Sequence, residues 1–147
     1  MTAYNSDQYT AAAPTARHGQ ASNVQIAYFS VPVGAALTTA DTFNFGYLPR
    51  DARIHAAVLK GSDMDTNGVP TLTINVGDAG SATRLFSAST VGQAGTVDAN
   101  MQAAGRFYKT TAKTLITGSV QANAATGVAG TLELAIHYVV EDSATSP

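Results

Sequence analysis

From Val24 onward the apolar side chains fall into a period of two, and that period dictates extended strand rather than helix. "DTFNFGYL" alternates strictly, with Phe43, Phe45 and Tyr47 on one face and Thr42, Asn44 and Gly46 on the other. "PTLTINVGD" turns Leu72, Ile74 and Val76 inward against Thr71, Thr73 and Asn75. "GTLELAIHYVVED" sets Leu132, Leu134, Ile136 and Tyr138 opposite Glu133, Ala135 and His137, and "TLITGSV" sets Ile116, Gly118 and Val120 on one face. "RIHAAVLK" predicts Ile54, Ala56 and Val58 as a shared face. "NVQIAYFSVPV" alternates more loosely through Val24, Ile26 and Tyr28, then Val31 and Val33, with Pro32 suited to an edge strand or a strand end. "TRLFSAS" and "GRFYKT" are shorter strand candidates, and "VDANMQAA" (97–104) reads as a short helix or a loop.

These runs make about eight strands, β-branched and aromatic-rich, separated by Gly, Asp, Asn and Ser turns. No long helical period lies between them, so parallel βαβ units give way to an all-β antiparallel sandwich or barrel. Eight strands in two sheets is the jelly-roll number, and a jelly-roll-like β-sandwich over residues 24–142 is the expectation. At 147 residues the chain has the length of about one domain and can bury a core without disulfides; it has no Cys. The Gly-rich runs "VGQAGTVDANMQAAG" and "QANAATGVAG" are long for loops, a length usually ordered by a partner or used for function.

Residues 1–23 differ in composition. "SDQYTAAAPTARHGQ" is small and polar with no apolar period, and Pro14 interrupts any helix its Ala run might start. This predicts an extended N-terminal arm, with residues 143–147 as a C-terminal tail. Tyr4 and Tyr9 are its apolar anchors, Arg17 a partner for a carboxylate, and His18 a further contact residue.

The run Asp63-x-Asp65-x-Asn67-Gly68 spells the opening of a calcium loop. Such loops take ligands at positions 1, 3, 5, 7, 9 and 12, the last a bidentate Glu. Here position 12 is Ile74, committed to the core by its alternation. The run reads instead as a tight reversal: Asp63 and Asp65 accept from backbone N–H groups, and Asn67-Gly68 supplies positive φ. His18, His55 and His137 lack metal-ligand spacing, and no nucleophile elbow, Walker loop or dinucleotide fingerprint occurs. The sequence therefore nominates no catalytic, metal or cofactor residue, and the expectation is a protein that is not an enzyme. Only 12% of residues are charged, with a formal net charge of −2, well under the ~25–35% of a typical surface. The basic residues are scattered along the sequence, which argues against a nucleic-acid partner. No run approaches the ~20 apolar residues of a membrane helix, and the N-terminus lacks a secretory pattern, so neither a membrane nor export is expected.

From Thr39 to Asp142 the chain resembles the small virion proteins of tailed bacteriophages, including the decoration or cement proteins of icosahedral heads. "GYLPRDARI", "SDMDTNGVPTLTINVGD" and "GTLELAIHYVVED" carry the resemblance. It implies a jelly-roll-like sandwich, often a homotrimer, on the capsid exterior, with the major capsid protein as partner and assembly in the host cytoplasm. The rival expectation is a ligand- or glycan-binding β-sandwich on a virion surface, calcium-dependent or not, though the absence of Trp weakens it.

Overall fold

The computed structural model describes residues 2–6 and 24–141. They form two packed sheets. The first has the order β1 (Ala3–Asn5), β3 (Thr42–Leu48), β8 (Thr114–Ala122), β5 (Thr73–Gly77), β6 (Phe86–Ser89). The second runs β2 (Val24–Val33), β9 (Gly130–Val140), β4 (Ala52–Gly61), β7 (Val97–Asp98). A 3-10 turn at Val91–Gln93 is the only helical element among the described residues. The expected all-β sandwich is what forms.

The pairing is nested: β2 pairs with β9, β3 with β8, β4 with β7 and β5 with β6, all antiparallel. From β2 on, every connection except β5–β6 passes from one sheet to the other. The loops consequently gather at two ends of the sandwich. At one end lie the β3–β4, β5–β6 and β7–β8 connections; at the other lie β2–β3, β4–β5, β6–β7 and β8–β9. The exception to antiparallel pairing is β1, which runs parallel to β3 with Tyr4 opposite Phe43. Three residues of the expected arm thus extend the sandwich's own sheet.

One core fills the space between the sheets, with Phe43, Phe45, Leu72, Ile74, Val76, Leu132, Leu134, Ile136 and Tyr138 fully buried. Each such side chain contributes roughly 1.5–3 kcal/mol through removal from water. Parity counted along a strand is correct until a bulge resets it. β4 is bulged between Ile54 and Ala56, so Ala57 and Leu59 are buried after Ile54, while Ala56 and Val58 turn outward. β3 is bulged between Asn44 and Gly46, so Leu48 replaces Tyr47 on the core face. Gly46 makes that bulge feasible: its φ is +154°, and a Cβ there would lie 2.5 Å from the Phe29 ring.

β2 keeps the expected inward Val31 and Val33 but overturns the expected face of its first half. Ala27, Phe29, Val31 and Val33 are buried, whereas Val24, Ile26 and Tyr28 are 62%, 61% and 50% exposed. Both parities of this strand are apolar, so the pattern alone did not choose. Pro32 does lie in an edge strand. Residues 97–104 hold β7 and then loop rather than helix, and "GRFYKT" contributes only an isolated bridge between Lys109 and Arg53. The long loops are ordered from within. Gln102 N–H bonds the Leu85 carbonyl at 2.8 Å, Met101 is buried, and the β8–β9 loop is clasped by Asp65 as described next.

Candidate functional site

The Asp63–Gly68 run sits in the β4–β5 connection, which arches from one sheet to the other and so is not a hairpin turn. Asp65 is buried at its centre. Its Oδ2 accepts from the N–H groups of Thr71 (2.8 Å), Leu72 (3.1 Å) and Ala125 (3.0 Å), and its Oδ1 from that of Thr126 (2.8 Å). Burial alone would raise this carboxyl's pKa; the four backbone donors override it and hold the group well below the ordinary Asp range. A cation would have to displace those donors. Asp63 Oδ1 accepts from Asp65 N–H at 3.2 Å, Asn67 Oδ1 from Val69 N–H at 2.9 Å, and Asn67 Nδ2 donates to Thr126 Oγ1 at 2.9 Å. Side chains therefore close the reversal. The expected positive φ at Asn67-Gly68 is absent, since Gly46 and Gly95 are the described glycines that adopt it.

Asp41, at the same end, is also buried and also spent on backbone. Its Oδ1 accepts from Thr2 N–H at 3.1 Å and its Oδ2 from Thr38 N–H at 3.0 Å. Asp63 is the exposed carboxylate among the loops here, and none of these loops contains Lys or Arg.

The opposite end carries the cations. Five of the seven described Lys and Arg residues (the chain's eight less Arg17) lie on the β3–β4 turn, the start of β4 and the segment before β8. Arg50 and Lys109 each approach Asp51 at 3.6 Å, and Arg53 pairs with Glu141, donating through Nη2 to Oε2 at 3.1 Å. The Arg53 guanidinium holds the Glu141 carboxyl below its ordinary range. Lys113 stands 4.6 Å over the Tyr47 ring, and Arg106 precedes the exposed Phe107. Residues scattered in sequence thus converge, because antiparallel pairing brings the 103–113 segment against β4. Ile54 N–H bonds the Tyr108 carbonyl at 2.9 Å, and Phe107 N–H bonds the Ile54 carbonyl at 2.8 Å. Thr110 latches this segment from within, accepting from Ala52 N–H at 2.9 Å and donating to the Pro49 carbonyl at 2.6 Å.

Nearby, Asp78 caps the β5–β6 turn, accepting from Gly80 and Ser81 N–H groups at 2.9 Å each. It also pairs with Arg84 at 2.7 Å, whose guanidinium lies 3.6 Å over the Tyr108 ring. A cavity of about 410 Å³ opens beside them, lined by Asp78, Tyr108, Thr111, Lys113 and Thr117 among others.

Of the arm residues, Tyr4 stacks on Phe43 at 5.9 Å between ring centroids and packs against the core of its own chain. Tyr9, Arg17 and His18 lie outside the described residues. His55 and His137 are on the outer surface as expected, His55 edge-on to Phe107 at 5.6 Å. Among the described residues, no three His, Cys, Asp or Glu side chains converge as metal ligands would. Phe107 and the cations around it were missed by strand reasoning. The signal was the interleaving of basic and aromatic residues in "GRFYK".

These features describe a β-sandwich whose distinctive side chains face outward. Solved structures similar to it are chains of phage capsids. The chain matches one from the cyanophage Pam1 capsid asymmetric unit at 41% identity and a TM-score of 0.76, over 86% of this chain and 91% of that one. It matches one from the capsid of Ralstonia phage GP4 at 31% identity and a TM-score of 0.81, over 96% of this chain and 99% of that one. Neither a family model nor a curated protein matches it. With this identity over nearly full length, the chain belongs to the family of capsid-associated phage proteins that these two represent.

Proposed function

We propose that the protein is a head decoration, or cement, protein: it binds the outer surface of the phage capsid as a homotrimer, contacts the major capsid protein, and stabilises the expanded shell. The observation that carries this reading is the near-full-length match to two capsid chains. The nested strand pairing supports the jelly-roll form of the sandwich. A protein that binds the expanded shell and not its precursor stabilises that shell by mass action. A trimer spanning several shell subunits makes the second and third engagements effectively intramolecular, so modest contacts suffice for retention. Such a protein acts by adhesion, on the virion exterior, after assembly in the host cytoplasm.

The test is addition of purified protein to particles of its phage that lack it. Saturable co-sedimentation and a higher particle melting temperature are the expected outcome; binding to unexpanded precursor with equal affinity would remove the stabilising mechanism. The arm belongs to the same proposal through Tyr9, Arg17 and His18. Deleting residues 1–20 is a poor test, because it also removes β1 from its sheet. Replacing Tyr9, Arg17 and His18 together by Ser leaves β1 in place and should weaken particle binding at least tenfold.

A further inference from the structure

Phe107 is displayed against its backbone preference. Its φ is +61°, a region that bulky side chains rarely adopt, and its side chain is 61% exposed. The conformation is held by the Phe107 N–H on the Ile54 carbonyl and by Arg53 Nη1 donating to the Phe107 carbonyl at 2.7 Å. Strain of this kind survives only where the surroundings over-determine it, and it concentrates at functional positions. His55 meets the ring edge-on at 5.6 Å, Arg53 and Lys109 lie on the two segments that pair beside it, and Arg50, Arg106 and Lys113 are on the same end of the sandwich. Counting the loops of that end with Arg53 and Glu141, six cations face three carboxylates; all three carboxylates are engaged, Asp78 by Arg84, Glu141 by Arg53 and Asp51 by Arg50 and Lys109, so the surplus positive charge lies with Arg106 and Lys113.

From this arrangement we infer that the end of the sandwich carrying Phe107 is the docking face for an acidic protein surface, with the ring as its apolar anchor. The inference rests on the decoration reading and specifies where the chain seats and what chemistry the shell offers there. An aromatic anchor ringed by charge is the usual anatomy of an interface hot spot. A second copy of this chain seated by its opposite end is a poor occupant, because among the described residues Asp41 and Asp65 there are buried and bonded and Asp63 is the outward carboxylate of its loops.

The experiment measures co-sedimentation of the full chain with its phage's particles across a salt series, and melting of the free protein. Phe107→Gly is the informative variant, since Gly accepts φ +61° without strain. It should melt no lower than the parent yet bind at least tenfold more weakly. Arg106→Glu with Lys113→Glu should also cost at least tenfold and flatten the salt dependence, while Val69→Ser at the other end stays within twofold. Parent-like binding by both the Phe107 and the charge-reversal variants overturns the inference and leaves the decoration reading standing. Tighter binding to a duplex oligonucleotide than to particles overturns it too. If Phe107→Gly melts lower, the ring is structural and the charge-reversal variant alone decides. A parent protein that ignores the particles overturns the decoration reading and this inference with it.

Discussion

The two ends of the sandwich use charge in opposite ways. At the β4–β5 end, carboxylates point inward: Asp65 receives four backbone N–H groups and Asp41 two, and together they tie the loops and residue 2 to the sheets. At the β3–β4 end Asp78 repeats the inward pattern and holds Arg84 with it, but the other cations point outward, and the loop beneath them is latched by an uncharged residue, Thr110. The contrast follows from donor chemistry. A buried carboxylate accepts from several N–H groups that a loop would otherwise leave unpaired, whereas a buried ammonium or guanidinium can only donate and brings a desolvation cost of its own. Carboxylates therefore suit closure, and cations suit display.

Asp65→Ala offers the strongest way to break this comparison. Four N–H groups lose one charged acceptor, so a loss of about 4 kcal/mol is expected in urea unfolding. A loss below about 1 kcal/mol would mean that the clasp is ornamental. Acid acts on the same group. Folding lowers this carboxyl's pKa, so its stabilisation is complete above the unfolded value near ~3.9 and is lost as pH falls toward the folded one. Protection from hydrogen exchange at Thr71, Leu72, Ala125 and Thr126 should therefore fall first between about pH 4 and 2, while Ala52 and Thr110 hold.

Thr110→Val probes the other end. It strips Ala52 N–H and the Pro49 carbonyl of a partner and should cost about 2 kcal/mol by thermal melting, roughly half the Asp65 effect. Smallest is Tyr138→Phe, because the Tyr138 hydroxyl is buried without a hydrogen-bond partner among the described residues and burial pushes its pKa up. Removing it should stabilise the fold by about 1 kcal/mol. A destabilised Tyr138→Phe protein would show that the hydroxyl has a partner in solution.

Much of the core was legible along the chain. Leu72, Ile74 and Val76, and Leu132, Leu134, Ile136 and Tyr138, are buried as their alternation requires, since side-chain parity is a local property of an extended backbone. Parity failed where it is not local. At β4 and β3 a bulge inserts one residue, which depends on the partner strand, so Ala56 and Val58 part from the face of Ile54 and Tyr47 from that of Phe43 and Phe45. In β2 both faces are apolar, and packing in the assembled core, including Phe29 against Gly46, selects between them.

The candidate site was legible only in pieces. "DMDTNG" announced a side-chain-closed reversal, but half of the donors to Asp65 come from residues 60 and 61 positions away. The cations looked scattered because Arg53 and Lys109 are distant in sequence and adjacent only through pairing of the 103–113 segment with β4. What the amino-acid order determined by itself is the all-strand backbone and most of its buried face, because both follow from a period of two. Tertiary structure decided which parity of β2 meets solvent, what Asp65 closes and where the positive charge collects. Each of those depends on contacts between segments that no local periodicity encodes.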